Sequence, residues 1–320
     1  MKKHLFLIGF MICSMATIAQ TESADKPESW YFKLGGSYFI QTAATEFPIV
    51  NGQAPNTDVY AADGTTLLSR ETNHGSFGEG FRSGLTAGYR FSTRLGVEMG
   101  INYYSSADKL MVETTNRLVP GTTNVFVSGD AIGKIRAWDL SPALVLFLGE
   151  TKGFEPYTKV GVIVPIHGDL TIETNRTYST AAGVMAKTYA EDVVKPKPTL
   201  GFMAAIGTSY KIGKKLALFA EIEYRNFTVH GDTKETTVFT ENGVDKLHTP
   251  TTFRPDASYS AIHTNYVKQL NSNSNNPLFN PNTTTAVTTD TTRPDEAMND
   301  ISSYVGISGV GLTFGLRYSL

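Results

Sequence analysis

The chain has 320 residues, of which 41% are hydrophobic and 18% are charged, and its formal net charge at pH 7 is −2. This balance provides no basic field for binding phosphates, which argues against a nucleic-acid-binding protein. The single cysteine excludes a disulfide framework and a metal site built from cysteines.

The N-terminus has the pattern of an export signal. Positively charged residues precede an apolar stretch from Leu5 to Ala16, and the small residues Thr17 and Ala19 suit the −3 and −1 positions of a cleavage site. The stretch is too short for a membrane-spanning helix, although a single anchoring helix is the alternative. We predict a cleaved secretory signal peptide over residues 1–19 and a short periplasmic segment over residues 20–29.

Eight segments of the remaining chain alternate between apolar and polar residues with a period of two. This pattern is typical of β-strands, and none of the segments has the period of a helix. The segments lie, in chain order, at residues 30–40, 84–91, 95–104, 137–148, 156–166, 200–210, 216–224 and 310–320. The sequence therefore predicts an all-β fold.

The connections between these segments separate a soluble sandwich from a membrane barrel, which the alternation alone cannot do. Short connections alternate strictly with long ones, and the long ones cover about 41–81, 105–135, 167–198 and 228–308. Outer-membrane barrels have such short periplasmic turns and long extracellular loops. The pattern predicts an eight-stranded antiparallel transmembrane up-and-down β-barrel over residues 30–320.

The last segment and the ends of the apolar faces agree with this prediction. Aromatic residues near the ends of the apolar faces suit the two membrane interfaces. The chain finishes within its alternation, as the C-terminal insertion signal of outer-membrane barrels does, although their usual final aromatic is here a leucine. We assign this signal to Phe314, Leu316, Tyr318 and Leu320.

The polar faces of the segments carry charges of both signs that we expect to face the lumen. An eight-stranded barrel is so narrow that side chains fill it, and an unpaired buried charge is costly. We therefore interpret these residues as a structural salt-bridge network that plugs the barrel; a catalytic or ion-selecting set is the alternative. The predicted network is Lys33, Arg90, Glu98, Asp139, Lys159, Glu221, Glu223, Arg225 and Arg317.

Glycine and proline in the strands lead to two further expectations. Inward glycines are expected to make room for the long charged side chains, and they are Gly35, Gly88, Gly161, Gly311 and Gly315. Pro142 and Pro165 lack an N–H donor for the strand ladder, so we expect bulges or bends at both.

The chain resembles a known group of proteins. The opening WYFKLGGSYF, the run PYTKVGV and the final GLTFGLRYSL are similar to small outer-membrane β-barrels of the OmpA transmembrane-domain, OmpX and OmpW type. The resemblance implies a Gram-negative outer membrane, with its lipid and lipopolysaccharide and the barrel-assembly machinery as partners. It does not transfer one function, since this superfamily includes anchors, adhesins, conduits and lipid-modifying enzymes.

The long loops are the distinctive feature of the chain. Hairpins are predicted around Pro120-Gly121 and Asn242-Gly243, while the Asn/Thr-rich stretch at 264–295 is predicted to be mobile. Within it, Asp290-Thr291-Thr292 resembles an O-glycosylation acceptor. Such loops suit binding of an extracellular ligand or host surface, or they have no fixed partner.

We therefore predict a non-enzymatic protein with a structural or surface-interaction role and without a cofactor or metal. A narrow OmpW-like conduit for small or apolar solutes is the alternative, and a rim lipid-modifying enzyme is the third. For the enzyme, four residues could approach one another at the outer rim: His167, Asp169, Glu173 and His230. His74, His248 and His263 are scattered over the loops, which does not favour a metal site.

Overall fold

A computed structural model describes residues 29–197, 199–277 and 293–320. The predicted signal peptide, residues 20–28 of the predicted periplasmic segment, and Asp290-Thr291-Thr292 lie outside the described residues. No helix in the described part of the chain is long and apolar enough to cross a membrane.

The regular secondary structure of the described chain is almost entirely β-strand, with one short helix. In chain order the elements are β1 (Ser29–Gln41), β2 (Thr45–Glu46), β3 (Asn56–Tyr60), β4 (Leu67–Thr72), β5 (His74–Gly75), β6 (Gly80–Arg90), β7 (Leu95–Ser106), β8 (Lys109–Leu118), β9 (Phe126–Phe147), β10 (Phe154–Thr180), β11 (Gly183–Lys197), β12 (Gly201–Lys211), β13 (Leu216–Asn226), β14 (Thr228–Glu241), β15 (Val244–Asp245), the short helix α1 (Tyr259–Ile262), β16 (His263–Val267), β17 (Met298–Ile301), β18 (Tyr304–Gly306) and β19 (Gly309–Ser319).

Eight of these strands pair in a closed ring. The neighbours around it are β1, β6, β7, β9, β10, β12, β13 and β19, and β19 pairs again with β1. Every pairing in this ring is antiparallel. The predicted class, an all-β barrel with mostly antiparallel strands, is confirmed.

The ring turns its apolar side chains outward. Leu34, Phe202 and Ile206 are more than half exposed, whereas Lys33 and Glu221 on the opposite faces are buried. A large continuous apolar surface on the outside is what a wall facing lipid requires. Within the ring the alternation therefore sends charges inward and apolar groups outward.

The two prolines behave differently. The register of β9 against β10 shifts between Pro165 and His167, as expected of a bulge. At Pro142 the register of β9 against β7 continues without a shift, and the ladder with β10 skips Ser141 and Pro142 while keeping the same register. A bulge at Pro142 is therefore wrong, since one ladder is interrupted without an inserted residue; a bend there, the other expectation, stays a prediction.

The predicted long loops are largely strand. β9 and β10 have 22 and 27 residues and continue well beyond the ring, and β10 forms a hairpin with β11. The predicted hairpins are present as β8–β9 and β14–β15, the second with positive φ at Asn242 and Gly243. The sequence pattern missed most of these strands because both of their faces carry polar residues.

These additional strands form a second sheet region, which we call the extension. It comprises the described residues of 42–79, 107–136, 167–197 and 227–308. Its strands pair in the order β4, β3, β8, β9, β10, β11, β14, β16 and β17. Its main buried cluster is apolar and is built from Phe47, Val50, Phe77, Met111, Val112, Ala131, Ile135, Leu170, Ile172 and Val194.

The stretch predicted to be mobile is packed where it is described. Asn275 is 2% exposed, and its side-chain NH2 donates to the carbonyl oxygens of Arg293 and Glu296, both at 3.0 Å. Residues 264–267 belong to β16. The prediction is wrong for these residues, because a composition rich in Asn cannot reveal that backbone carbonyls surround one of them; residues 278–292 lie outside the described part.

Candidate functional site

The centre of the lumen is a four-membered charge cluster, which we call the middle layer. Lys33 Nζ lies 2.6 Å from Glu221 Oε1 and 2.9 Å from Glu98 Oε1. Lys159 Nζ lies 2.7 Å from Glu221 Oε2 and 3.6 Å from Glu98 Oε2. The Tyr157 hydroxyl donates to Glu221 at 2.7 Å. Each cation thus contacts both carboxylates, and the group is electrically balanced.

A second cluster, the upper layer, lies on the side of the extension. Arg82 grips Glu223 with two parallel hydrogen bonds of 2.6 and 2.7 Å. Arg225 Nη2 donates to Asp139 Oδ2 at 2.6 Å, and the Asn102 side-chain amide donates to the other oxygen of Asp139 at 2.8 Å. Bidentate, charge-assisted bonds of this kind are among the strongest that side chains make.

The third cluster, the lower layer, lies at the opposite end of the ring. Glu155 accepts from Arg90 Nη1 at 2.5 Å and from Arg317 Nη1 at 2.7 Å. The Arg90 guanidinium also lies 4.2 Å from the centre of the Phe147 ring, and that of Arg317 lies 4.5 Å from the centre of the Tyr31 ring. Carboxylate and aromatic faces together compensate the two cations.

The nine predicted lumen residues lie in these three layers, together with two that the sequence reasoning missed. The two residues are Arg82 and Glu155. Arg82 lies in phase with Arg90, two residues before the segment at 84–91, and Glu155 lies in phase with Lys159, directly before the segment at 156–166. Extending these two segments toward the N-terminus would have found them. The layers contain six cations and five anions in total: Lys33, Arg82, Arg90, Lys159, Arg225 and Arg317 with Glu98, Asp139, Glu155, Glu221 and Glu223.

Little space is left between the layers. The cavity that the middle and upper layers enclose has a volume of about 30 Å³, on the order of one or two water molecules. A Cβ at Gly88 would lie 2.2 Å from the Tyr31 ring, and one at Gly311 would lie 2.7 Å from the Phe39 ring. These inward glycines therefore make room for aromatic rings, which corrects the expectation that they accommodate charged side chains.

The other inward glycines follow the same rule. Gly35 and Gly315 lie against the Phe219 ring, while Gly161 lies against the backbone at Pro142 and Ala143. None of the five has a charged side chain as its nearest neighbour. The lumen is thus filled by rings as well as by ion pairs.

Above the layers the wall has a gap. β10 pairs with β12 up to Ile163 and with β11 from Leu170 onward, in one shared register. Among the described residues no ladder joins 164–169 to the opposite chain at 195–200. Pro165 and Pro196 lack N–H donors on the two sides of this gap.

An apolar cavity of about 280 Å³ lies behind the gap. Apolar side chains line most of it, among them Leu170, Val194, Phe227, Val229, Val305 and Ile307. Polar residues stand at its mouth, namely His167, Asp169, Lys195 and His230. Asp169 Oδ1 is buried there without a hydrogen-bond partner among the described residues.

The structure brings three of the four predicted rim residues to this mouth. His167 Nε2 lies 3.5 Å from Asp169 Oδ2, and His230 lines the same cavity, whereas Glu173 is exposed elsewhere on β10. His230 Nδ1 is 3.2 Å from Ser302 Oγ, but the Ser302 hydroxyl donates to the Gly231 carbonyl at 3.0 Å. The proton of the Ser302 hydroxyl is therefore directed to the backbone and away from the His230 imidazole. A serine nucleophile activated by histidine would need the opposite direction.

No group of three or more His, Cys, Asp and Glu residues within 29–197, 199–277 and 293–320 could hold a metal ion.

The comparisons with known proteins assign the family. The family model described as "Outer membrane protein beta-barrel domain" matches residues 6–246. Because this is more than half of the chain, the protein belongs to this family of outer-membrane barrels, whose surroundings are outer-membrane lipid and lipopolysaccharide. A comparison with curated proteins finds no match.

Two solved structures of outer-membrane proteins match this chain, both with TM-scores below 0.5. Neisserial surface protein A is 9% identical, with 90% of this chain and 96% of that chain covered and a TM-score of 0.33. The outer membrane protein OprG from Pseudomonas aeruginosa is 11% identical, with 93% and 98% covered and a TM-score of 0.39.

Proposed function

We propose that the ring of eight strands crosses the outer membrane and that the extension stands outside the cell. Support comes from the exposed apolar side chains of the ring and from the connections at 91–94, 148–153 and 212–215, which are short at one end only. Short turns face the periplasm in such barrels. In this arrangement residues 1–19 are the cleaved signal peptide.

The proposed function is a non-enzymatic one: a plugged barrel that holds the extension at the cell surface for a structural or partner-binding role. The observation that carries it is the filled lumen. The cavity that the middle and upper layers enclose has only about 30 Å³, and the lower layer places two further ion pairs at the opposite end of the ring, so we expect no continuous path for a solute through the ring. The extension, in contrast, has a fixed shape with its own apolar interior.

Planar-bilayer recording tests the plug. Purified protein should give no reproducible conductance, because the three layers block the lumen. The variant Arg82→Ala/Glu223→Ala removes the fork of the upper layer and serves as the matched comparison for leakage. Steady conductance of the unaltered protein would contradict the proposal.

A surface-binding assay tests the role of the extension. Cells producing the protein should bind an immobilised cell or matrix surface more strongly than cells without it. Shortening the β10–β11 hairpin by removing residues 175–188 should reduce this binding while the ring still inserts. Equal binding by cells with and without the protein would leave only a structural role.

A second candidate function is a conduit that opens sideways, and the gap at 164–169 favours it. The apolar cavity of about 280 Å³ lies above the plug and behind this gap, so an apolar solute could pass from outside into the membrane without crossing the lumen. Val305→Trp should fill the cavity, with Val160→Trp on the outer face of the ring as control. Native mass spectrometry should detect an apolar molecule that co-purifies with the protein and the control and is lost from Val305→Trp; its absence from all three would contradict a conduit.

The C-terminal strand is proposed to be the signal for the barrel-assembly machinery. Phe314, Leu316, Tyr318 and Leu320 all have exposed apolar side chains on β19 or directly after it. Replacing Phe314 and Tyr318 by serine should reduce the amount of inserted protein more than the same change at Phe91 and Tyr304. Unchanged insertion, measured as heat-dependent mobility in detergent gels, would overturn this assignment.

A further inference from the structure

The extension carries a polar groove on its outer face, formed by four neighbouring strands. The register of β11, β14, β16 and β17 places two cross-strand rows of side chains on this face. Alternate residues such as Val194 and Thr264 point to the other side and are buried. The first row is Val193, Glu235 and His263, and the second is Lys195, Thr233, Asn265 and Asn299.

The groove is a concave site and not a flat sheet surface. Tyr259 of helix α1 and His263 at the start of β16 line it, and so do Glu296, Ala297 and Asn299. The groove is partly open and has a volume of about 620 Å³, within the range of about 300–1,000 Å³ that is usual for sites that bind small molecules. Its lining combines hydroxyl, amide, ammonium and carboxylate groups with one aromatic pair.

The aromatic pair provides a platform at the edge of the groove. The Tyr259 ring is stacked on the His263 ring, with 3.8 Å between centroids and an angle of 14° between the planes. Tyr259 is half exposed, so part of its ring is open to a ligand. The Nδ1 atom of this imidazole lies 3.2 Å from the Tyr259 carbonyl oxygen, and Glu235 Oε1 lies near its other nitrogen, 3.6 Å from His263 Nε2.

The charges of the groove exclude several classes of ligand. Lys195 and Glu235 oppose one another in sign, and Glu296 is paired with Arg293 at 3.0 Å. Lys234 directs its ammonium group to Asn51 Oδ1 at 3.2 Å, so it is engaged elsewhere. A phosphate or other strong anion would find a single free cation among the described lining residues, and an apolar chain would leave the amides and hydroxyls unpaired.

We propose that this groove binds a sugar residue with little or no net charge, as part of an oligosaccharide. Such a ring offers hydroxyl groups to the Asn265 amide, the Glu235 carboxylate and the Lys195 ammonium. Its flat C–H face matches an aromatic ring such as that of Tyr259. The inference deepens the proposed function, on which it rests, because it needs the extension to lie outside the cell.

Two sources supply this chemistry at the cell surface. One is the oligosaccharide of lipopolysaccharide in the same membrane, since Lys195 also lies at the mouth of the wall gap, close to the apolar outside of the ring. The other is a glycan of another cell. Both use the same groove, and the choice of probe separates them.

The test uses the full protein in phospholipid nanodiscs without lipopolysaccharide. Two probes are applied: an array of neutral and amino-sugar oligosaccharides, and an oligosaccharide obtained by complete deacylation and dephosphorylation of lipopolysaccharide. We expect saturable binding of at least one probe, measured by calorimetry for the probes that the array selects. Tyr259→Ala and Asn265→Ala should each weaken it about tenfold, whereas Tyr304→Ala, an exposed aromatic outside the groove, should leave it unchanged.

Folding of every variant is checked by heat-dependent mobility in detergent gels. The inference is overturned if no probe binds, or if Tyr259→Ala and Asn265→Ala both bind as the unaltered protein does. Its failure is distinguishable from failure of the proposed function, because cells can still bind a surface through the β10–β11 hairpin when the groove takes no sugar.

Discussion

The ring and the extension have different buried centres, although two strands, β9 and β10, run through both: ion pairs lie at the centre of the ring and an apolar cluster at the centre of the extension. In the ring part of β9 the inward residues include Asp139 and the outward ones include Leu144; in the extension part the inward residues include Ile135 and the outward ones include Lys134. On β10, the inward residues include Lys159 in the ring and Ile172 in the extension. The outward face of β9 thus changes from apolar to polar within a single strand, which fits a ring in lipid and an extension in water.

Strand pairing and the polarity of the strand faces are thus determined by different causes in this protein. A lipid-facing wall gains nothing by burying apolar groups, so its interior is free to be held by ion pairs. The extension is surrounded by water, and its interior must be apolar to be stable. Strand pairing continues across this border.

The largest expected effect comes from removing a charge from the lumen. Glu221→Ala leaves Lys33 and Lys159 with one shared carboxylate, Glu98, and should lower the free energy of unfolding by about 4 kcal/mol, as expected when a buried ion pair loses one partner. Urea unfolding in detergent micelles measures it. Glu150→Ala, at an exposed pair with Lys211, is the control and should cost less than about 1 kcal/mol. Equal losses in the two variants would show that the lumen charges do not stabilise the ring more than surface ion pairs do.

The next effect concerns the apolar interior of the extension. Ile172→Ala should destabilise the extension by about 3 kcal/mol through lost burial and a cavity, while the ring keeps its resistance to denaturation. Limited proteolysis should then cut within the extension, and heat-dependent mobility should be unchanged. If the ring lost its resistance to denaturation as well, the two regions would unfold as one cooperative unit, which would contradict the prediction.

The third prediction concerns Asn275, a buried polar side chain that lies in the extension and not in the lumen. Asn275→Ala removes the side-chain donor to the carbonyls of Arg293 and Glu296 and should cost about 2 kcal/mol. Hydrogen exchange of residues 259–277 should accelerate. Asn273→Ala, at an exposed neighbouring position, is the matched control, and an equal acceleration there would mean that Asn275 is not the hub of this segment.

The smallest expected effect lies at the edge of the extension. Arg70 binds Asp58 on β3 with two bonds of 2.7 Å and holds the pKa of this carboxyl below its ordinary value. The contribution of this ion pair to the stability of the folded extension is therefore fully present above the ordinary pKa of an aspartate, about 4. It is lost as the pH falls through the lowered pKa of Asp58. Because Arg70 is half exposed, the pair stabilises the extension by at most about 1 kcal/mol. Proteolysis of β4 should therefore depend on pH in the unaltered protein, and Asp58→Asn should remove this dependence. If the dependence persisted in Asp58→Asn, Asp58 would not be its source.

The sequence predicted the ring well because lipid enforces a strict alternation there. Lys33, Glu98 and Glu221 alternate with outward apolar residues at a period of two, which identifies them as inward residues. Arg82 and Glu155 lie just before the start of their predicted segments, although the exposed Phe81 and Phe154 continue the apolar face there.

The extension was much harder to predict. β11 has Lys187 and Glu191 outside and Thr188 and Asp192 inside, so no contrast between its faces marks it as a strand. The groove depends on the register between strands that are far apart in the chain. Asn265 and Tyr259 acquire their setting only when β14 and β16 pair, which no local pattern encodes.

The pairing of β1 with β19 has a consequence for the order of assembly. These strands come from opposite ends of the ring's sequence, with Tyr31 opposite Ser319, so the wall cannot close until its last strand is in place. Until then two unpaired edges, on β1 and β13, are open to wrong partners. A peptide that imitates β19 should therefore arrest an unfinished barrel and leave a finished one untouched.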